Sequence, residues 1–156
     1  MQLIEEIVAN SDTLTEIRRD IHKHPELAYE EHRTADIVAE RLASFGIEVD
    51  RGLAGTGVVG TLKGGGGNRA IGLRADMDAL AMDELNDFDY ASAHQGKMHG
   101  CGHDGHTTML LGAAEYLAAN PDFDGIVHFI FQPAEEGAAG AKRMIDEGLF
   151  ERFPVE

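Results

Sequence analysis

The segment MHGCGHDGH, residues 98–106, concentrates side chains that can bind a metal ion. It holds the chain's single cysteine, Cys101, and three of its eight histidines. Cys101 and His103 are two residues apart, and a thiolate and an imidazole are both good ligands for zinc and similar ions. The intervening glycines would let the backbone fold tightly around an ion. The alternative is structural, since a lone cysteine beside histidines is more often a packing residue than a ligand.

Two pairs of carboxylates, Asp76/Asp78 and Glu135/Glu136, follow predicted strands. Adjacent glutamates at the end of a buried strand are costly unless a cation meets them, although acidic residues also favour a solvated helix start. Ligand sites in open α/β folds gather at the carboxyl ends of strands. Together with residues 98–106, these pairs supply thiolate, imidazole and carboxylate. That is the donor set of a two-metal hydrolase in which one free carboxylate acts as base.

Periodicity and turn residues predict the elements that would carry these groups. We expect helices from Ser11–Asp12 to just before Pro25, and over 30–44, 104–119 and 138–147. We expect strands over 47–49, 57–64, 69–76 and 125–133, the last as a buried central strand. The glycines at 64–67 are typical of a hairpin turn or loop, and residues 77–100 are expected to be irregular. The alternation of strands and helices, with one hairpin, predicts a mixed-sheet α/β sandwich.

The segment GTGVVG, residues 55–60, matches the G-x-G-x-x-G pattern of dinucleotide-binding folds. Asp76 and Asp78 lie near the distance at which a ribose-binding acid would stand. That motif must open a helix, but TLKGGGG follows it here. We therefore interpret the segment as a glycine-rich strand and turn. The later glycines, 64–67, also lack the G-K-[ST] that a phosphate-binding loop requires.

Composition limits the classes of partner. The 156 residues suffice for one domain with a sizeable core. A formal net charge of −15 argues against nucleic acid and against an anionic membrane surface as partners, and solubility explains the acidity most simply. No apolar run approaches the roughly 18 residues of a membrane span, and the N-terminus lacks a signal-peptide pattern. With one cysteine and no internal disulfide, we expect a cytoplasmic protein.

Five segments, in this order, resemble the aminoacylase/carboxypeptidase metallopeptidases. The resemblance is to the amidohydrolase branch, which includes hippurate hydrolase, N-acyl-amino-acid amidohydrolases and auxin-conjugate hydrolases. The segments are RRDIHKHPELAYEEHRTA (18–35), GTGVVGTLKG (55–64), LRADMDAL (73–80), GKMHGCGHDGHTTMLLGAA (96–114) and FIFQPAEEGAAGAKRMIDEGLF (129–150). The resemblance implies a zinc-exopeptidase-type α/β sandwich. Residues 1–156 would form the N-terminal part of its catalytic metallohydrolase domain.

The resemblance also implies roles for individual residues. Cys101, His103 and Glu136 match metal ligands, and Glu135 matches the general base that takes a proton from water and returns it to the leaving amine. Asp78 matches the aspartate of the family's H-x-D motif, which orients the site. The cofactors implied are two divalent metal ions of zinc, manganese, cobalt or nickel. The implied reaction is cleavage of the amide bond of N-acyl amino acids or similar small amides.

Other residues of the matching motifs receive lesser roles. Asp76 stands where the H-x-D motif has its histidine, so we do not expect it to act as that histidine does. His106 is expected to support the site rather than bind metal. His22 and His24, in the H-x-H-P-E match, are expected to cap or pack. Ala81 replaces a proline that usually follows Asp-Ala-Leu, which predicts a looser turn.

The chain departs from the family most in length. Family members continue with further histidine ligands and a lid domain that commonly dimerises. We therefore expect a partial chain with at most partial metal occupancy, doubtful activity, no lid-mediated homodimer and poor solubility because apolar edges would be exposed. Three hypotheses stay open at this point. The chain is part of an amidohydrolase, a non-catalytic metal-binding remnant of one, or a structural fragment without metal.

Overall fold

The computed structural model describes residues 4–156. Its helices are α1 (Glu5–Ala9), α2 (Ser11–Lys23), α3 (His32–Ser44), α4 (His103–Ala119), α5 (Gly140–Asp146) and α6 (Leu149–Arg152). Its strands are β1 (Glu48–Leu53), β2 (Gly57–Gly64), β3 (Ala70–Asp76) and β4 (Gly125–Gln132). Within this described part, no helix is both long enough and apolar enough to cross a lipid bilayer.

The four strands form one mixed sheet in the order β1-β2-β4-β3. β1 pairs with β2, and β2 with β4, in antiparallel fashion, whereas β3 and β4 run parallel. β4 therefore lies inside the sheet, and seven of its eight residues are buried. Its apolar run packs on both faces of the sheet. The prediction of a buried central strand at residues 125–133 is confirmed.

Of the two structures predicted for the glycines at 64–67, the loop is confirmed and the hairpin is wrong. β4 lies between β2 and β3, so the strands on either side of these glycines are not neighbours. The link instead wraps around Asp124, whose Oδ1 accepts hydrogen bonds from the backbone N–H of Gly66 at 2.9 Å and of Gly67 at 2.6 Å. The hairpin of this sheet joins β1 to β2. Local turn signals could not reveal that a distant apolar strand inserts between β2 and β3.

Apolar residues on the two faces of the sheet form two clusters. The larger one lies under α2, α3 and α4 and includes Ile21, Leu42, Val58, Leu111, Phe129 and Phe131. The smaller one lies under α5 and α6 and includes Leu53, Val59, Ile130, Met144 and Leu149. Phe129 and Ile130 are neighbours on β4 but belong to opposite clusters, as the period of two of a strand requires. Helices thus cover both faces, and the predicted α/β sandwich is confirmed.

Element boundaries differ from the predictions by a few residues. The helix expected over 30–44 begins at His32, and the one expected over 138–147 is α5, which α6 follows after a short break. The strand expected at 47–49 extends to Leu53, and α1 was not predicted. GTGVVG enters β2 at Gly57, as interpreted, and residues 77–100 are irregular apart from an isolated bridge between Leu80 and Met98.

The outer edge of β3 carries exposed apolar side chains. Ile71 on this strand is 54% exposed, and Met109 on the adjoining helix α4 is 64% exposed. Such an edge favours association between chains. Poor solubility of the isolated chain stays a prediction. So does the assignment of residues 1–156 to one catalytic domain, of which residues 1–3 lie outside the described part.

Candidate metal centre

Three segments that are distant in sequence meet at one edge of the sheet. β3 and β4 are parallel, with Asp76 opposite Gln132, so both strands deliver the residues that follow them to the same edge. The loop before α4 completes the group. Ligand atoms of Cys101, His103 and Glu136 all lie within 4.8 Å of one another. The structure thus brings the three predicted metal ligands together.

His103 is the first residue of α4 and is buried. Its Nδ1 lies 2.8 Å from the backbone oxygen of Asp78. A carbonyl oxygen only accepts, so Nδ1 must carry the hydrogen, and the lone pair of Nε2 is left free. Nε2 lies 3.8 Å from Glu136 Oε1 and 3.9 Å from Glu135 Oε2. A backbone contact thus fixes the tautomer that a metal ligand needs.

The Asp78 carboxylate connects the histidine to both glutamates. It accepts the backbone N–H of Glu135 at 3.0 Å and that of Glu136 at 2.9 Å. Its Oδ1 also lies 3.3 Å from His103 Nδ1. Burial opposes ionisation, but the hydrogen bonds from His103 and from these two N–H groups lower the pKa of Asp78 below its usual value. Asp78 is placed to orient the site, and that role stays a prediction.

The two adjacent glutamates differ in their surroundings. The Glu135 side chain is 42% exposed, whereas that of Glu136 is 26% exposed. Glu136 Oε1 is buried and finds no hydrogen-bond partner among residues 4–156. A buried carboxylate oxygen without a partner is unfavourable, and a cation would satisfy it. This orphaned oxygen beside a free imidazole nitrogen fits a bound metal ion.

Negative charge is concentrated around the cluster. The neighbouring Glu136 carboxylate is the main reason that the pKa of the exposed Cys101 thiol is raised. For His103, burial opposes protonation, but the hydrogen bond with Asp78 and the charge of Asp76 raise its pKa above the usual value. The same negative charges that raise these two pKa values also favour a bound cation at the site.

One residue that supports the site received no role from the sequence. Glu31 is fully buried and accepts hydrogen bonds from the Thr56 hydroxyl at 2.6 Å and from the Ala134 backbone N–H at 2.8 Å. Burial raises the pKa of Glu31. Ala134 has a φ of 55°, which is rare for a residue other than glycine, and Glu135 follows it directly. Glu31 thus anchors the turn that presents the glutamates, but only its position inside a matching motif could have indicated this.

His22 and His24 make packing contacts, as predicted. His22 is buried, with Nδ1 2.9 Å from Asp104 Oδ2 and Nε2 3.1 Å from Glu84 Oε1. His24, which follows α2 directly, has its Nδ1 2.8 Å from the backbone oxygen of Asp20 in the last turn of that helix. The His22 contacts join the end of α2 to the start of α4 and to the irregular segment.

The fold and the donor cluster together define a metallopeptidase-type domain. The model of peptidase family M20/M25/M40 matches residues 72–156, and the chain belongs to this family. The resemblance drawn from the motifs is therefore confirmed.

Named relatives are hydrolases. Hippurate hydrolase of Campylobacter jejuni is 52% identical over 153 residues, which cover 98% of this chain and 40% of the relative. IAA-amino acid hydrolase ILR1-like 4 of Arabidopsis thaliana is 48% identical over 141 residues, which cover 90% of this chain and 32% of the relative. The chain thus spans about 40% of the length of its hippurate hydrolase relative.

Solved structures share the fold. The YXEP protein of Bacillus subtilis, a dinuclear metal binding peptidase from the M20 family, superposes with a TM-score of 0.87 at 40% identity. The superposition covers 92% of this chain and 41% of that protein. A putative aminohydrolase from methicillin-resistant Staphylococcus aureus gives a TM-score of 0.88 at 40% identity, over 94% of this chain and 40% of that one.

Proposed function

We propose that the chain is part of a metal-dependent amidohydrolase that cleaves the amide bond of N-acyl amino acids or similar small amides. The observation that carries the proposal is the orphaned Oε1 of Glu136 beside the free Nε2 of His103 and the thiol of Cys101. The names of the relatives support the substrate class, since hippurate and IAA-amino acids are both N-acyl amino acids.

Cys101, His103 and Glu136 would hold the metal. Bound divalent ions supply Lewis acidity toward the amide carbonyl and toward water. The donor set of thiolate, imidazole and carboxylate suits zinc, and manganese, cobalt and nickel also accept such ligands. Two ions are expected in the complete family site, with partial occupancy in this chain.

Glu135 would move the proton. Its half-exposed carboxylate lies beside the cluster, where it accepts a proton from the attacking water and then donates it to the leaving amine. Asp78 holds the backbone of both glutamates and the Nδ1 side of His103 while this occurs. Glu135 is accessible to water and suits the role of base, whereas the inward-facing carboxylate of Glu136 suits the role of metal ligand.

The remaining expectations form part of the same proposal. The partner is a small-molecule amide, with no nucleic acid or membrane partner, because the formal net charge is −15. The expected location is the cytoplasm, where a single unpaired thiol stays reduced.

The test is amine release from hippurate and from other N-acyl amino acids, measured on the chain loaded with zinc, manganese or cobalt. Release that Glu135→Gln abolishes while the bound metal is retained would support the proposal. Bound metal without release over a long incubation would favour the alternative, a non-catalytic metal-binding remnant. That alternative is supported by the small ligand set, since three predicted ligands come together among the described residues. Absence of bound metal would favour the third hypothesis, a structural fragment without metal.

A further inference from the structure

A second group of metal-binding side chains adjoins the predicted site. Asp76, His103 and His106 each offer one ligand atom, and these atoms all lie within 4.8 Å of one another. The two histidines are three residues apart on α4 and therefore share one face of the helix. Their rings stack at 5.6 Å between centroids. Asp76 is the last residue of β3 and is buried.

The separations of these atoms lie just outside the range expected for ligands of one ion, so only small side-chain movements would bring them into it. The shorter separation is a hydrogen bond in the chain without an ion. Asp76 Oδ1 lies 2.7 Å from His106 Nδ1 and 3.6 Å from His103 Nε2. Nitrogen and oxygen ligands at about 2.0–2.2 Å from a common ion stand roughly 3–3.5 Å apart. The other oxygen of Asp76, Oδ2, is bound by the Arg74 guanidinium at 2.9 Å. That contact holds the carboxylate with Oδ1 turned toward the two imidazoles.

His103 links this group to the predicted site and forces a choice between them. Its Nδ1 is committed to the backbone oxygen of Asp78, so only Nε2 can bind an ion. One nitrogen serves one ion at a time. An ion on Nε2 is therefore completed either by Cys101 and Glu136 or by Asp76 and His106.

We propose that Asp76, His103 and His106 form a further site for a divalent transition-metal ion, an alternative to the Cys101 site. Two imidazoles and one carboxylate leave open positions on the ion and lack a soft sulfur ligand. The site is thus less selective for soft ions than the cysteine-containing one. It binds metal whether or not the chain hydrolyses amides.

Cobalt(II) distinguishes the two sites, because a thiolate ligand produces a charge-transfer absorption in the near ultraviolet that imidazole and carboxylate do not. The chain and its Cys101→Ser variant are titrated with cobalt(II), and bound metal is counted after dialysis. We expect Cys101→Ser to retain one cobalt ion without the thiolate absorption. Adding Asp76→Asn or His106→Gln to that variant should weaken cobalt binding by about tenfold or more.

The matched control is His24→Gln in the Cys101→Ser background, since His24 bonds to the backbone of α2 at Asp20. It should leave cobalt affinity unchanged, and circular dichroism should show that each variant is folded. The proposal is overturned if Cys101→Ser loses all cobalt, or if His106→Gln has no more effect than His24→Gln. Thiolate absorption in the unmodified chain tests the predicted ligand set separately. The thiolate absorption thus reports on the Cys101 site alone, and cobalt binding by Cys101→Ser reports on the site of Asp76, His103 and His106.

Discussion

The Nδ1 atom of His103 lies 2.8 Å from the backbone oxygen of Asp78, and this contact determines which nitrogen of the ring can bind metal. Asp78 makes a second contribution through its carboxylate, which accepts the backbone N–H groups of Glu135 and Glu136. One residue therefore contacts an imidazole at the start of α4 and the backbone of two glutamates after β4. We predict that the metal centre depends on Asp78, although that residue is not itself a predicted ligand.

Asp78→Asn should weaken metal binding by about 10- to 100-fold, as is usual when a partner of a ligand is lost. Asparagine offers one oxygen and one NH₂, so one of the two backbone N–H donors would face another donor. Competition with a chromophoric chelator measures the affinity. The control is Asp124→Asn, because Asp124 also accepts two backbone N–H groups but lies away from the site. Equal losses in the two variants would contradict an orienting role for Asp78.

Glu136 and Glu135 should have separate roles, in metal binding and in proton transfer respectively. Glu136→Gln should lower metal affinity by more than about tenfold, because it replaces the inward-facing carboxylate whose oxygen is orphaned. Glu135→Gln should leave metal content unchanged and lower amine release by about 100- to 10,000-fold, the usual contribution of a general base. Metal analysis after dialysis and an assay for free amine measure the two effects. If both variants lose metal to the same extent, the assignment of separate roles is wrong.

His99 should make the metal-free chain sensitive to acid. Burial lowers its pKa from 6.5 to about 4, and neither ring nitrogen has a hydrogen-bond partner among residues 4–156. The His99 imidazole therefore binds a proton more tightly in the unfolded chain than in the folded chain. The free energy of unfolding is unaffected by this difference above pH 6.5. It decreases as the pH falls toward 4, by about 3 kcal/mol at most.

The measurement is urea unfolding between pH 8 and pH 4 in the presence of a chelator. His99→Met, which cannot be protonated, should show a smaller loss of unfolding free energy over this range than the unmodified chain. His94→Gln, at an exposed histidine, is the control and should keep the original pH profile. If the unfolding free energies of the unmodified chain and of His99→Met fell equally with pH, His99 would not be the source of the acid sensitivity.

Sequence reasoning predicted the layers of the fold, because amphipathic helices and an apolar strand have local signatures. It also indicated which donor side chains come together, since such side chains cluster within short motifs such as residues 98–106. It could not place β4 between β2 and β3, because strand order depends on contacts between distant segments. It also assigned no role to Glu31, whose partners Thr56 and Ala134 are 25 and 103 residues away in sequence.

Glu31 offers a test of how the turn before the glutamates is held. Glu31→Leu keeps a similar volume but leaves the Ala134 N–H buried without a partner, which should cost about 1–3 kcal/mol of unfolding free energy. Metal affinity should fall as well, because Ala134 holds a positive φ that Glu31 helps to stabilise, and Glu135 and Glu136 follow it.

Glu31→Gln is the matched control. Its oxygen can accept from Ala134 and its NH₂ can donate to the Thr56 hydroxyl. Denaturant unfolding and chelator competition on both variants measure the two effects. If Glu31→Leu lost stability while metal affinity matched that of Glu31→Gln, the residue would support the core and not the metal centre.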